Sequence, residues 1–362
     1  MDEKKPARHD IPSAGESGSQ AERRVEEQVR PAANGFVACM RKLYHPLGFS
    51  KGYNAVLWVL TTGYFFGFVC SRLFFFDFNG IFCNEAHPKK YGAAPLECFW
   101  HRQGIYEIAI RLHLYAMLPA GLLGCLQFVP AIRHYAIILH RLNGYLVILL
   151  CLIGNAGAVM MTRHSFGGDF TTQTWVGASA LLTTIGYLMA WINIKVLQID
   201  QHRAWMMRTW IWFAQPITFR IISKCAGPII TSLKYWYTVV PCKQIASVLG
   251  QNGTLALYPG CATYFDGTEL AKQVIVHADI WSQNPVEINS AVAISFGTCG
   301  WLSLLVHTLA IEIYLRLTPK ESERLRRISY ERQLARGFKS PGSAGLVAER
   351  FGDAEPYRPR DV

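Results

Sequence analysis

The chain has 362 residues, of which 51% are apolar and 17% are charged, and its formal net charge is +11 at pH 7. This charged fraction lies below the roughly 25% that is usual for soluble domains. Much of the positive charge lies in the two polar ends, whereas a nucleic-acid-binding domain gathers its basic residues on a folded face. The composition therefore favours an integral membrane protein, and we expect the lipid bilayer, not nucleic acid, to be its partner.

The apolar middle of the chain divides into stretches that can each cross a bilayer as a helix, which requires about 20 mostly apolar residues. These predicted spans are 53–75, 105–129, 138–161, 175–197, 205–230 and 290–315. The fifth span is the most polar, since it contains Arg208, Arg220 and Lys224. The pattern predicts an all-α fold, a polytopic membrane bundle of about six helices over residues 53–315. We expect a disordered N-terminal arm (1–52) before it and a basic C-terminal tail (316–362) after it.

The basic residues that flank the spans predict the orientation of the chain. Arg41, Lys42 and Lys51 precede the first span, and several arginines follow the last one. Because Lys and Arg accumulate on the cytosolic side, both termini are expected to be cytosolic. The loops at 76–104 and 233–287 are then lumenal.

Two chemical signals in these loops agree with that orientation. The sequence "NGT" at Asn252 is an acceptor for N-glycosylation, which occurs in the lumen. Each loop also contains a pair of cysteines, and disulfides persist in that compartment. The pairs are Cys83 with Cys98 and Cys242 with Cys261. We therefore predict a multi-pass membrane glycoprotein of the endoplasmic reticulum.

A group of polar and ionisable residues is expected in the lumenal half of the bundle. Glu107 and Arg111 lie four residues apart and so share one helix face as an ion pair. Ionisable groups inside a membrane are costly and usually line a pathway or a site. We predict one cavity that brings together the candidate catalytic residues. They are Asp169, Glu107, Arg111, His113, His164, Arg220 and Asn155.

Two further segments, "HRLNGYL" (140–146) and "HRAWMMR" (202–208), place His-Arg pairs at the cytosolic edge of spans. Arginine side chains commonly extend from such positions to the membrane interface. We therefore predict that His140 and His202 are structural or positioning residues.

The segments "HRLNGYL" and "HRAWMMRTW", together with the succession of short-looped spans, resemble a family of bacterial and fungal multi-pass proteins catalogued as a domain of unknown function. The likeness covers about residues 55–315, and the length, the lumenal sequon and the polar tails are closest to fungal members. Some fungal members are similar to the membrane-bound terpene cyclases of the ascofuranone pathway. The resemblance implies a terpene cyclase, a lyase or isomerase of meroterpenoid secondary metabolism, acting on a hydrophobic prenylated and epoxidised aromatic substrate.

Such a cyclisation needs an acid that protonates the epoxide, and a dry aromatic pocket that shelters the cation. We expect Asp169 to be this acid, with its pKa raised by burial, because it follows the flexible turn "HSFGG" and has no adjacent basic partner. Glu107 is the alternative acid, although Arg111 on the same face should lower its pKa. The sequence contains no Asp-rich metal motif, so we expect a reaction that starts by protonation and uses neither metal nor cofactor.

Two other classes of function remain open. In a cytochrome-b-like electron carrier, two histidines from different helices hold each haem b. His140 with His202 could hold one haem on the cytosolic side, and His113 with His164 another on the lumenal side. A membrane transporter or scaffold would also explain the charges within the spans, although no internal repeat is visible.

Overall fold

The computed structural model describes residues 33–49, 51–84 and 92–359, and the chain divides into two compact units, Met1–Leu57 and Trp58–Val362. In the first unit, helix α1 (Gly35–Tyr44) begins at Asn34, whose side chain accepts a hydrogen bond of 2.9 Å from the main-chain N–H of Val37. Asparagine is a favoured N-cap residue for this reason. The predicted disorder is therefore wrong for this helix, and residues 1–32 lie outside the described residues.

The remaining helices and strands follow one another along the chain with short connections. Their bounds are α2 Gly52–Trp58, α3 Tyr64–Cys70, α4 Glu97–His101, α5 Gly104–Gln127, α6 Pro130–Tyr135, α7 Ile137–Met161, α8 Phe170–Lys195, α9 Ile199–Phe213, α10 Gln215–Leu233, β1 Tyr237–Pro241, α11 Cys242–Leu257, α12 Ala262–Phe265, β2 Gln273–His277, α13 Pro285–Leu317, α14 Pro319–Ala335 and α15 Ala348–Phe351. A π-helical turn, Val59–Gly63, joins α2 to α3. The two strands form one antiparallel pair.

Five helical stretches of the described chain are long and apolar enough to cross a membrane, namely Gly52–Phe76, α5, α7, α8 and α13. The protein is thus an all-α polytopic membrane bundle, as the sequence predicts. The predicted span 205–230 differs from a single helix, because α9 ends and α10 begins around Ala214. Pro216 explains the break, since proline has no N–H to donate and its ring collides with the preceding helical turn.

Contacts near both ends of α9 place this helix alongside α8. His202, near the start of α9, has its Nδ1 atom 2.9 Å from the main-chain oxygen of Ala190, near the end of α8. Gln215, at the start of α10, accepts a hydrogen bond of 3.0 Å from the indole N–H of Trp175, near the start of α8. Helix α9 therefore runs antiparallel to α8, and the crossing that the sequence predicts between the fourth and sixth spans stays a prediction.

Small residues bring the helices close together in the bundle, as is common in membranes. A Cβ atom at Gly157 of α7 would lie 2.5 Å from the carbonyl oxygen of Ala109 on α5. A Cβ atom at Gly124 of α5 would collide with the ring of Trp210 on α9. The backbones of α5 and α7, and the large aromatic ring of α9, can approach only because these positions are glycine.

The bundle has two ends with different coverings. Both predicted disulfides are present at one of them, which we call the disulfide end. They are Cys83–Cys98 and Cys242–Cys261. At the opposite end, which we call the tail end, Gln333 of α14 donates a hydrogen bond of 2.9 Å to the carbonyl of Val196, just after α8. The side-chain oxygen of Asn193 accepts a bond of 2.8 Å from the N–H of Leu346. The C-terminal region is therefore packed against the bundle as part of the fold.

Candidate functional site

A carboxyl group lies fully buried at the disulfide end. Glu97, the first residue of α4, is 1% exposed, and its Oε1 atom accepts a hydrogen bond of 2.9 Å from the main-chain N–H of Phe166. Its Oε2 atom lies 3.8 Å from Nε2 of His101, one helical turn further along α4. Among the described residues, neither this Oε2 atom nor Nδ1 of His101 has a hydrogen-bond partner. One acidic oxygen therefore faces a histidine without being held by the protein.

The protonation states of this pair follow from burial. Burial raises the pKa of Glu97 to about 8, and the Phe166 N–H opposes this only in part. Burial also lowers the pKa of His101 to about 4, assisted by repulsion from His113. Desolvation disfavours the charged form of either group. Near pH 7 the pair is thus a protonated carboxylic acid beside a neutral imidazole, and perturbed groups of this kind are typical of functional sites.

A short loop, Ser165–Gly168, lies against Glu97 and has an unusual backbone. Phe166 has φ 50° and ψ 48°, and the next two residues have φ 82° and 61°. A left-handed conformation is unfavourable for a residue such as phenylalanine unless surrounding contacts hold it. The bond to Glu97 and a ring stack on Phe296, with centroids 3.7 Å apart, provide those contacts. We call this segment the covering loop.

Aromatic rings surround the other face of α4. The ring of His164 stacks on Trp100 with centroids 3.9 Å apart, and Tyr106 meets it edge-on at 4.7 Å. The ammonium group of Lys243 lies 4.9 Å from the centroid of Trp100. Burial lowers the pKa of His164, and repulsion from nearby basic groups lowers it further. The disulfide end therefore combines a neutral acid with an aromatic cluster that can stabilise a nearby cation.

The structure confirms the predicted ion pair on α5. The guanidinium of Arg111 lies 2.7 Å from the Glu107 carboxylate. It also lies over the ring of Phe78, 4.1 Å from the centroid, and donates to the hydroxyl of Tyr115 at 3.3 Å. The carboxylate of Glu107 is therefore held by its neighbour one turn away.

Two of the predicted site residues instead connect helices. Nδ1 of His113 on α5 lies 3.0 Å from the carbonyl oxygen of Gly154 on α7. The amide of Asn155 on α7 donates to the hydroxyl of Thr183 on α8 at 2.9 Å. These bonds satisfy polar groups where three helices pack, which is a structural role that polar residues often have in membrane bundles.

Asp169 and Arg220 occupy different surroundings from those expected. Asp169 is exposed, and its carboxylate caps α8 by accepting a hydrogen bond of 2.9 Å from the N–H of Thr172. The burial that we expected for this acid is therefore wrong. Arg220 lies on α10, in a groove that it shares with Arg72 of the first span.

The contacts of the described residues join few of the predicted candidates to one another. Among the contacts of the described residues, the ion pair on α5 is the one that joins two of them. The catalytic roles of these residues stay predictions. They are Glu107, Arg111, His113, Asn155, His164, Asp169 and Arg220.

The His-Arg pairs make contacts that hold helices in position. The carbonyl of His140 accepts a hydrogen bond of 3.2 Å from the Gln127 amide, and His202 contacts α8 as described above. Arg208, from the second segment, binds both carboxylate oxygens of Glu312 on α13, at 2.6 and 3.1 Å. These contacts favour a positioning role for His202 and Arg208, whereas the contact of His140 is made by its main chain. A ligating histidine commonly engages its second ring nitrogen in this way, so the haem alternative for His140 and His202 also stays a prediction.

Sequence reasoning missed Glu97 and His101. The predicted site contains charges within or next to the spans, whereas both residues lie in a predicted loop. The available signal was "ECFWH" (97–101), which places a carboxyl group and an imidazole four residues apart around Cys98 of a predicted disulfide. Such spacing predicts a pair on one helical turn, but the burial of that pair depends on Phe166, which is distant in sequence.

Residues 110–249 match the family described as Predicted membrane protein (DUF2306). Both His-Arg segments lie within the matched range. The chain is also similar to Ava biosynthesis cluster protein G of Aspergillus versicolor, with 23% identity over 320 residues that cover 74% of this chain and 90% of that protein. No solved structure matches the chain. The comparisons thus support a multi-pass membrane protein, and Glu97 lies just outside the range of the family match.

Proposed function

We propose that this chain is an integral membrane terpene cyclase of fungal secondary metabolism, in which Glu97 protonates the epoxide of a prenylated aromatic substrate. The observation that carries the proposal is the fully buried Glu97 carboxyl group, which has one oxygen held by the Phe166 N–H and the other without a hydrogen-bond partner among the described residues. The similarity to a protein whose name assigns it to a fungal biosynthesis cluster supports the metabolic setting. An endoplasmic reticulum location belongs to the same proposal.

The proposed reaction is an isomerisation. The proton on Oε2 of Glu97 passes to the epoxide oxygen, the C–O bond breaks, and an alkene of the prenyl chain attacks the resulting carbon cation. Loss of a proton from the final cation balances the proton gained, so the reaction requires no redox partner. A group that is protonated near neutral pH suits general acid catalysis. An aromatic face close to the reacting carbon would stabilise the cation.

Access to Glu97 requires movement of the covering loop, because the carboxyl group is enclosed. Gly167 and Gly168 permit such movement, since glycine adopts left-handed and right-handed backbone conformations about equally well. We propose that the substrate displaces Phe166 from Glu97 and from Phe296. The proton on Oε2 of Glu97 then reaches the epoxide oxygen, which accepts a hydrogen bond from it.

The test uses microsomes that contain each variant and a prenylated aromatic epoxide as substrate. Glu97→Gln keeps the shape of the side chain and an oxygen that accepts from Phe166, but it has no acidic proton. We expect cyclisation to fall at least about 100-fold, the usual contribution of a general acid. Asp169→Asn and Glu107→Gln are the matched controls, which we expect to retain most of the activity. Full activity in Glu97→Gln would contradict the proposal, and loss in Asp169→Asn alone would assign the acid to Asp169.

The haem carrier is the alternative, since the ring nitrogen of His202 that contacts Ala190 leaves its Nε2 atom able to bind iron. An absorbance spectrum of the purified protein separates the two functions. A Soret band that His202→Gln removes, together with no cyclisation of the epoxide, would replace the proposed function with electron transfer.

A further inference from the structure

A groove with a volume of about 490 Å³ runs between α3 and α10, at a distance in sequence from the residues of the proposed cyclase site. Its walls are largely apolar, and several basic side chains lie along it. The wall residues are Gly63, Tyr64, Gly67, Phe68, Ile217 and Ile221. The basic residues are Arg72, Arg220 and Lys224, and Ser71 completes the lining.

Among the described residues, none of these three cations has a carboxylate partner. Within the described parts of the chain, the ion pairs of the bundle involve other residues. The guanidinium of Arg72 is held by the hydroxyl of Ser71 and lies 4.2 Å from the centroid of the Phe68 ring. Arg72 and Arg220 also lie close enough to repel each other. Uncompensated charge beside an apolar span costs free energy. A bound anion would therefore stabilise this cluster of basic residues.

The groove opens on the outside of the bundle. Only 6% of the most apolar part of the first span, Gly52–Phe76, is buried in the structure. Tyr64 on the groove wall is 58% exposed. A Cβ atom at Gly67 would meet nothing within 4 Å, so the absence of a side chain there leaves free space along the wall. An apolar channel that ends at basic groups matches a molecule with a hydrocarbon chain and an anionic head.

We propose that this groove binds an anionic phospholipid of the surrounding bilayer. Arg72, Arg220 and Lys224 contact its phosphate, and its acyl chain lies along the apolar wall of α3. Arginine favours phosphate because its planar guanidinium can donate two parallel hydrogen bonds. The proposal is independent of the cyclase activity, since it uses none of the groups around Glu97.

The test is native mass spectrometry of the purified full chain with phosphatidylglycerol, phosphatidylcholine or inorganic phosphate. We expect phosphatidylglycerol to bind more tightly than phosphatidylcholine. Arg220→Gln and Lys224→Gln should each weaken that binding about fivefold, the usual effect of removing one basic contact to an anionic lipid. Arg336→Gln is the matched control, because it removes an exposed arginine far along the chain on α14's C-terminal side, and it should change nothing.

A conservative variant and a stability measurement serve as further controls. Arg220→Lys retains the charge and should retain most of the binding, and the unfolding temperature of each variant without lipid shows whether the fold is intact. Equal binding of both lipids would overturn the proposal, as would unchanged binding in the folded Arg220→Gln and Lys224→Gln variants. Inorganic phosphate that displaces phosphatidylglycerol completely at millimolar concentration would show a free-anion site instead of a lipid site.

Discussion

The Glu97 carboxyl group accepts a hydrogen bond from the main-chain N–H of Phe166, which lies 69 positions further along the chain. This bond joins α4 to the covering loop, and the ring of Phe166 joins the same loop to α13 through Phe296. The acid and the segment that encloses it are therefore parts of one structure. Any change in the charge of Glu97 acts directly on the backbone that covers it.

We expect Glu97 to make the stability of the protein decrease between pH 6.5 and 8. Its pKa in the folded state is about 8, raised above the ordinary 4.5 by burial. A raised pKa means that the folded state holds the proton more tightly, so this stabilisation is complete below pH 4.5 and is lost as the pH rises through 8. Glu97→Gln has no such proton, so its unfolding temperature should fall less than that of the unchanged protein over this range.

His101 determines the lower limit of that pH window. Its folded pKa of about 4 lies below the ordinary 6.5, so its contribution is present above pH 6.5 and is lost as the pH falls towards 4. Between 4.5 and 6.5 the effects of the two residues oppose each other. Thermal unfolding in detergent at pH 6.5 and pH 8 therefore isolates Glu97, and identical pH dependence in both proteins would contradict its raised pKa.

Glycine substitutions in the covering loop should have unequal effects. A Cβ atom at Gly168 would collide with the carbonyl group of Arg163, whereas one at Gly167 would meet only the Cβ atom of Ala293 at 3.7 Å. Both positions have positive φ, which costs alanine a similar backbone strain of roughly 1–2 kcal/mol. We expect Gly168→Ala to lower the unfolding temperature much more than Gly167→Ala. Equal losses would show that the backbone strain alone decides the result.

The ion pair between Arg208 and Glu312 should couple α9 to α13. Arg208→Met removes two charge-assisted hydrogen bonds and leaves a carboxylate that is 41% exposed without this partner, at a cost of about 1 kcal/mol. Adding Glu312→Gln removes that unpaired charge, so the double variant should be more stable than the sum of the two single effects predicts. Strict additivity in the unfolding free energies would indicate that the two side chains do not interact.

Gln333 should hold the C-terminal region against the tail end. Its amide donates to the carbonyl of Val196 at 2.9 Å and to the side chain of Gln198 at 2.7 Å, and it accepts from the N–H of Gly342 at 2.7 Å. Gln333→Ala leaves these buried groups unpaired, which costs roughly 2 kcal/mol. Limited proteolysis should then cut residues 336–347 faster, whereas Glu331→Ala on the exposed face of α14 should leave the cleavage rate unchanged.

The orientation of the chain remains a prediction that two measurements test. Asn252 is exposed near the middle of α11, so an oligosaccharide can be accommodated there. We expect Asn252→Gln to remove a glycosidase-sensitive increase in mass, and external protease to digest the C-terminal tail in sealed microsomes. Protection of that tail would reverse the predicted topology.

Several features of this protein follow from local patterns in its sequence. Long apolar stretches identify the membrane helices, because a bilayer core of about 30 Å sets their length. The four-residue spacing of Glu107 and Arg111 places them on one helix face, and the ion pair forms there. The position of four cysteines in two predicted lumenal loops leads to both disulfides. In each case the interacting residues are close in sequence or share one loop.

Two other local signals in the sequence, a proline and an N-cap residue, were overlooked in the predictions. The hydropathy of 205–230 predicts one span, whereas Pro216 breaks it into α9 and α10. Asp169 stands three residues before Thr172, the spacing of an N-cap with its helix, and it caps α8. The prediction that Asp169 is a buried acid overlooked this simpler local role as an N-cap.

Tertiary structure alone decided which acid is buried. Glu97 stands in a predicted loop, and its local sequence resembles that of an exposed pair of polar residues. Its carboxyl group is enclosed because Phe166 and the rest of the covering loop pack against it. Two membrane helices, α5 and α7, separate this loop from Glu97 in the sequence. The pKa of a carboxyl group depends on how much water surrounds it. Local spacing determines the neighbours on one helix, but the exclusion of water depends on distant segments that only the folded chain brings together.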